Sequence, residues 1–341
     1  MWSVLFFLTL IKIENISYFK LGNFIRLSIE VSQKSDFNFS AEKNAVKMMF
    51  KEPLILGKNN YAHKKKAIPF RMIVKGNEMI FIFEENFSVA RYFVLPFPYK
   101  IIIDVSFNTS DIEDILTERE KKRRPKIVLD AGHGGKDPGT THFNIREKDI
   151  TLSFVKELAD IIRKDGKFEL ILTRDRDEFL KLEERSGIAN SVECDVFISL
   201  HVNYTKKPMV RGFEIFYFSK KFSKYALRVA EKENGVKLKE DDIVLFELFS
   251  SYKQENSRKL ADFLKESLKD VGEVNRVEGA PFYVLAGTFC PSVLIELGFI
   301  SNHEDRRKLI SKSFRKTVAE KIYEGIKSFI TYQLSYQNSY L

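Results

Sequence analysis

Three short apolar runs in this chain each end in a side chain that can bind a metal or move a proton. Residues 127–140 read IVLDAGHGGKDPGT, an apolar strand running into a glycine-rich turn that carries His133. Residues 195–201 (DVFISLH) end in His201, and residues 292–296 (SVLIE) end in Glu296. In open α/β sheets ligands bind at the carboxyl ends of the strands. A buried strand can end in Ser or Lys as easily, so endings in His, His and Glu predict a site as well as a fold.

The rest of the C-terminal part supports that architecture. Ile150, Phe154, Val155, Leu158, Ile161 and Ile162 recur at helical spacing, and Gly166 is placed to stop that helix. A strand follows at 168–173, a helix at 180–192, a strand at 212–219, a helix at 255–270, and a closing helix near 313–330. Strands alternating with helices predict an α/β domain: an open, mostly parallel sheet flanked by helices.

The N-terminal part reads differently. Ile25, Leu27, Ile29 and Val31 alternate with Arg26, Ser28, Glu30 and Ser32, the period of a half-buried strand. Further strand-like runs lie at 80–85, 91–95 and 100–107, separated by Gly22-Asn23, Gly76-Asn77, Pro96 and Pro98. This pattern predicts a small all-β, sandwich-like domain. The expected divisions are 1–16, a secretory leader or a first core strand; 17–107, the β-rich domain; 108–126, a charged linker ending in a basic run; and 127–335, the α/β domain. The apolar run 2–11 is too short to span a bilayer.

The net charge of +9 favours an anionic partner. The basic residues are interleaved with acids, and no nucleic-acid-binding motif occurs, so a nucleic-acid groove is not expected. Two cysteines, Cys194 and Cys290, make no disulfide framework and read as small core residues. His63, beside three lysines, reads as solvated.

His133 and His201 are suitable zinc ligands, and Glu147 opens the amphipathic helix where its carboxylate can point at the same spot. From spacing alone, a charge that merely complements the helix dipole is the commoner explanation of a glutamate at the position of Glu147. Two histidines and a carboxylate would leave one position open for water. Glu296, embedded among Val293, Leu294, Ile295, Leu297 and Phe299, is set for a raised pKa and acid–base work. Asp130 reads as an imidazole-orienting or a structural carboxylate, Arg174 and Arg185 as scaffold or substrate-edge residues, and Asn203 as reaching peptide or loop backbone. His142 precedes Glu147 in the loop, and His303 reads as a structural residue at a helix start.

GHGGKDPGT (132–140), REKDI (146–150), LTRDRDEFLKLEERSGIAN (172–190), ISLHVN (198–203) and VLIELGFISN (293–302) resemble, in order and spacing, the motifs of the zinc-dependent N-acetylmuramoyl-L-alanine amidases of the amidase-3 family. The resemblance covers residues 126–335 and implies that His133, Glu147 and His201 hold one Zn2+ and that Glu296 is the catalytic glutamate. It also implies peptidoglycan as substrate, cleaved between N-acetylmuramic acid and L-alanine. The N-terminal half, closing on PYKIIIDV (98–105), is similar to the AMIN domain that localises some of these enzymes. Periplasmic or envelope location, peripheral envelope association and an activator protein are further implications. Residues 233–256 occupy the place of an occluding insert, with Glu240, Asp241, Asp242 and Glu247 among its acids; a solvated turn and packed helix is the plainer reading. A non-catalytic wall-binding protein and a zinc peptidase acting on the stem are the competing functions.

Overall fold

The computed structural model describes residues 10–21, 23–57, 69–96, 99–107, 124–219, 222–235 and 251–338. Met1–Thr9, His63, most of the expected linker and residues 236–250, with the acids Glu240, Asp241, Asp242 and Glu247, lie outside the described residues. The chain forms two compact units, an N-terminal β unit and a C-terminal α/β unit.

Among the described residues the N-terminal unit holds nine strands: β1 (Ile11–Leu21), β2 (Phe24–Val31), β3 (Phe37–Glu42), β4 (Ala45–Phe50), β5 (Leu54–Leu56), β6 (Phe70–Lys75), β7 (Glu78–Phe83), β8 (Val89–Pro96) and β9 (Tyr99–Ser106). They form a five-stranded sheet, β5-β1-β2-β9-β8, and a four-stranded sheet, β3-β4-β7-β6. The alternating Ile25, Leu27, Ile29 and Val31 are buried in one core with Val46, Met48, Phe81 and Phe83 of the other sheet. β1 runs through position 16, so the β unit begins by Ile11. Arg26, on the opposite face from this core, is also buried, and its guanidinium donates to both oxygens of Asp104 at 2.6 Å.

The C-terminal unit comprises β10 (Lys126–Ala131), β11 (Thr141–His142), β12 (Ile145–Arg146), α1 (Glu147–Asp165), β13 (Glu169–Leu172), α2 (Leu182–Ser191), β14 (Val196–Asn203), β15 (Phe213–Phe218), α3 (Lys224–Asn234), α4 (Ser251–Leu268), β16 (Val274–Ala280), α5 (Tyr283–Ala286), β17 (Ser292–Phe299), α6 (His303–Leu309) and α7 (Lys312–Asn338). The sheet order is β13-β10-β14-β17-β15-β16. The first four strands are mutually parallel; β15 runs antiparallel to β17 and parallel to β16.

Side chains alternate across this sheet. Ile127, Leu129, Ile198, Leu200, Val293 and Ile295 join the core made with α1, α4 and α7. Gly166 adopts φ 71 at the end of α1 and donates to Ile162 O, closing the helix where its apolar face stops. The intervening positions face α2 and α5, where Phe216 packs on Phe282 with ring centroids 5.4 Å apart. On that second face the row changes from apolar to polar toward the carboxyl ends of β14 and β17, giving Ser199, His201 and Asn203 on one strand and Glu296 on the other.

One sequence expectation is corrected here. Cys194 and Cys290 form a disulfide, with Cα atoms 5.7 Å apart. The cause is register. Phe197 pairs with Ser292 on adjacent parallel strands, so the residues just before each strand come side by side at the edge opposite His201 and Glu296.

Candidate metal centre

The turn after β10 is built to aim His133. His133 has φ 59 and is followed by Gly134 (φ 130) and Gly135 (φ 56), a run that only a local constraint holds in place. Gly134 and Asp137 exchange backbone hydrogen bonds of 2.9 and 3.0 Å across it. The Asp137 side chain then meets His133 Nδ1 at 2.8 Å and accepts from Gly139 N at 3.0 Å. This leaves His133 Nε2 facing inward. Asp137, missed in the sequence, takes the orienting place considered for Asp130; its signal is the tight GHGGKDPG turn itself.

Gly139 has φ +63, and a Cβ there would lie 2.6 Å from the His133 ring and 2.7 Å from Glu147 Oε2. A glycine is therefore required for the turn to pass between two converging side chains. Glu147 opens α1 without exposure: its Oε2 accepts from Thr140 N at 2.8 Å and its Oε1 from Val202 N at 2.8 Å. His201, at the end of β14, meets Glu147 Oε1 through Nδ1 at 3.1 Å.

A fourth group joins these three. Glu233, near the end of α3, brings Oε2 within 3.1 Å of His133 Nε2 and 3.0 Å of His201 Nδ1. The ligand atoms of His133, Glu147, His201 and Glu233 all lie within 4.8 Å of one another. Sequence reasoning placed an insert here but named acids further on. The available signal was helical period: Ala226, Val229 and Ala230 form the buried face of α3, and Glu233 continues that face with a carboxylate.

The imidazoles and carboxylates of the cluster act strongly on one another. Burial opposes charge on His133, yet Glu147, Asp137 and Glu233 raise its imidazole to about 12. Burial opposes charge on His201 too, and Glu233 and Glu147 raise it to about 9. Burial likewise opposes ionisation of Glu233, but His201 and Lys232 hold its carboxyl well below the usual range. The two carboxylates thus favour positive charge on the groups facing them. His133 Nε2 and Glu233 Oε2 are nevertheless buried without a hydrogen-bond partner, although they lie 3.1 Å apart, while Glu233 Oε1 meets Lys232 Nζ at 2.9 Å. Close approach at angles unsuited to hydrogen bonding is what donors converging on a shared cation would show. Two imidazoles and carboxylates also match the donor preference of zinc.

Glu296 stands one strand over, in register with His201. It is fully buried, and neither oxygen has a hydrogen-bond partner. Burial first, then the Glu233 carboxylate, push its carboxyl well above the ordinary range. The cleft beside the cluster measures about 450 Å3 and is lined in part by Phe179, Leu180, Lys181, Lys232 and Val284.

Asp130 is buried and accepts from Arg185 at 2.8 Å, Thr173 at 2.6 Å and Ser199 at 2.7 Å, touching no imidazole. Arg185 also holds the carbonyls of Ala131 and His133, and Arg174 those of Ala131, Gly132 and Lys148, so both are scaffold for the turn. Asn203 donates to Glu214 at 3.0 Å. His142 sits outside the cluster, against Phe143 and Tyr204. His303 follows Asn302, whose side chain caps α6.

Donor type, convergence and burial together describe an α/β domain with a candidate metal centre at the carboxyl edge of its sheet. The sequence pattern of the Amidase_3 family, N-acetylmuramoyl-L-alanine amidase, matches residues 127–328, and the chain belongs to that family. AmiC of Escherichia coli O6:H1 is 34% identical over 220 residues, covering 60% of this chain and 52% of that protein. AmiA of Escherichia coli K12 is 34% identical over 218 residues, covering 60% of this chain and 75% of that protein. The catalytic domain of CwlV, an N-acetylmuramoyl-L-alanine amidase from Bacillus (Paenibacillus) polymyxa, is 24% identical with a TM-score of 0.49; the match covers 61% of this chain and 98% of that one. The chain spans about half the length of the AmiC and AmiB relatives it matches.

Proposed function

We propose that this protein is a zinc-dependent amidase that hydrolyses the amide between N-acetylmuramic acid and L-alanine in peptidoglycan. The observation that carries the reading is the convergence of His133, Glu147 and His201 beside a buried, unbonded Glu296. These three residues would hold one zinc ion, with Asp137 fixing the ring orientation of His133. When bound, zinc polarises a carbonyl and makes water acidic enough to ionise near neutral pH.

The chain's own residues do the rest. Glu296, with a carboxyl raised by burial, accepts a proton from the attacking water and passes it to the departing alanine nitrogen. Burial opposes ionisation of Glu147, but the His133 and His201 imidazoles hold its carboxyl below the ordinary range, and the backbone N–H groups of Thr140 and Val202 fix its two oxygens. No serine or cysteine nucleophile is invoked; both cysteines are in the disulfide.

Glu233 stands against both imidazoles that would hold the ion, so α3 would cover the centre and the resting state would be a closed one. An activator protein that draws α3 away would expose it. The disulfide supports an oxidising compartment, and the charge of +9 suits an acidic wall polymer. We therefore assign the protein to the cell envelope or periplasm, with its AMIN-like β unit as the wall-localising part.

The test is hydrolysis of purified peptidoglycan by the natural chain and by Glu233→Gln. Glu233→Gln should raise basal release of free stem peptides about tenfold or more while keeping bound zinc. Equal rates in the two proteins would remove the covering role, and shortened stems in place of free ones would replace the amidase reading with a peptidase.

A further inference from the structure

The polar row that contains His201 and Glu296 continues beyond them. Glu214 on β15 pairs in register with Glu296, and Arg276 on β16 pairs in register with Glu214. Directly paired residues point to the same face of a sheet, so His201, Glu296, Glu214 and Arg276 stand in sequence across four strands. Strands are spaced about 4.8 Å apart, which puts Glu214 one such step past Glu296 on the side away from His201.

Glu214 is almost wholly buried, yet it bears a carboxylate that the hydrolysis does not use. Its Oε1 accepts from Arg276 Nε at 2.9 Å. Its Oε2 accepts from Asn203 Nδ2 at 3.0 Å and from Tyr225 O–H at 2.6 Å. Tyr225 lies on α3, the helix that carries Glu233, and Arg276 covers its ring at 4.0 Å from the centroid. The same helix therefore touches the row twice: Glu233 at the imidazoles and Tyr225 at Glu214. The Arg276 side chain remains 42% exposed and can be reached from solvent.

We propose that Glu214, Asn203 and Arg276 form the subsite that seats the peptide leaving with the amine, and that Tyr225 plugs this subsite while α3 is closed. The inference rests on the amidase reading, because the order of the row gives it meaning. The scissile carbonyl belongs beside the two imidazoles and the departing nitrogen beside Glu296. The peptide beyond that nitrogen then continues over Glu214 and Arg276. A peptide N–H replaces the tyrosine O–H on Glu214 Oε2, and a peptide carboxylate pairs with the guanidinium of Arg276. Glu214 acts here as a positioning residue; it exchanges no proton.

The experiment compares two soluble substrates, N-acetylmuramoyl-L-alaninamide and an N-acetylmuramoyl tripeptide, in the full chain, both natural and carrying Glu233→Gln. Glu214→Gln should raise KM for the tripeptide substrate about 10- to 100-fold, the loss expected of one charge-assisted hydrogen bond. It should leave kcat and the alaninamide kinetics within about threefold, with zinc content unchanged. Arg276→Gln, on an exposed side chain, should weaken only the substrate with a free peptide carboxylate. Tyr225→Phe in the natural chain should raise tripeptide hydrolysis about three- to tenfold. Equal losses on both substrates, or a fall in kcat alone, would make Glu214 a structural prop and overturn the proposal. If Glu214→Gln fails to fold, selective loss in Arg276→Gln still supports the subsite, and no selectivity there overturns it. Failure of the zinc-loaded protein to cleave either substrate in either background would instead defeat the amidase reading.

Discussion

At the scale of single residues the proposed mechanism separates groups that would touch the reacting atoms from groups that hold those in place. Replacing Glu296 by Gln keeps its size and removes its basicity, so turnover of peptidoglycan should fall about 10²- to 10⁴-fold with zinc content unchanged. Gly139→Ala should act oppositely on the readouts. Its Cβ would intrude on both His133 and Glu147, so bound zinc should drop along with activity, measured by metal analysis after dialysis. Asp130→Asn should cost about 3–5 kcal/mol in urea unfolding at pH 7, because Arg185 is left buried without its charge partner. Burial opposes ionisation of Asp130, but Arg185, Thr173 and Ser199 hold its folded pKa below the unfolded value. That stability is present above about pH 3.9 and is lost as pH falls through the lowered folded value. The stability gap between the natural protein and the Asp130→Asn variant should thus stay level from neutral pH down to about 5 and shrink only in stronger acid.

At the scale of elements, period and register explain what could be read from the sequence. The strand runs ending in His133, His201 and Glu296, and the helix opened by Glu147, are each visible because burial imposes an unbroken apolar run or a helical stripe. Their meeting at one edge follows from parallel pairing, which aligns carboxyl ends. Glu233 was not legible in the same way. Its helix is short and polar overall, and its carboxylate looks solvated until the helix is placed against the sheet. Arg26 and Asp104 were hidden for a related reason: an alternating strand pattern marks them as outward, and only cross-strand pairing shows that each satisfies the other. The disulfide was obscured because two cysteines far apart in sequence signal nothing until β14 and β17 are known to be neighbours. For α3, Ser223 accepts from Ala226 N at its start, so Ser223→Ala should cost about 1 kcal/mol of local helix stability. Hydrogen exchange should show faster opening of 224–234, and basal hydrolysis should rise with it. Unchanged basal hydrolysis with faster exchange would separate opening of α3 from exposure of the centre.

At the scale of the molecule, two units carry separate cores, one all-β and one α/β. The disulfide lies wholly within the second and closes a sequence separation of 96 residues. Constraint of the unfolded chain by such a loop contributes about 2–4 kcal/mol in typical cases. Reduction should therefore lower the melting transition of the α/β unit while leaving that of the β unit in place, as read by calorimetry with and without reductant. The most direct test of the central claim is metal analysis of the purified full chain combined with mass analysis of peptidoglycan digested with Glu233→Gln, before and after chelation. One zinc per chain, free stem peptides beside intact glycan strands, and loss of both on chelation are predicted. Hydrolysis that persists in the metal-free protein, or a chain carrying His133→Ala and His201→Ala that still binds one zinc and cleaves the same bond, would contradict it.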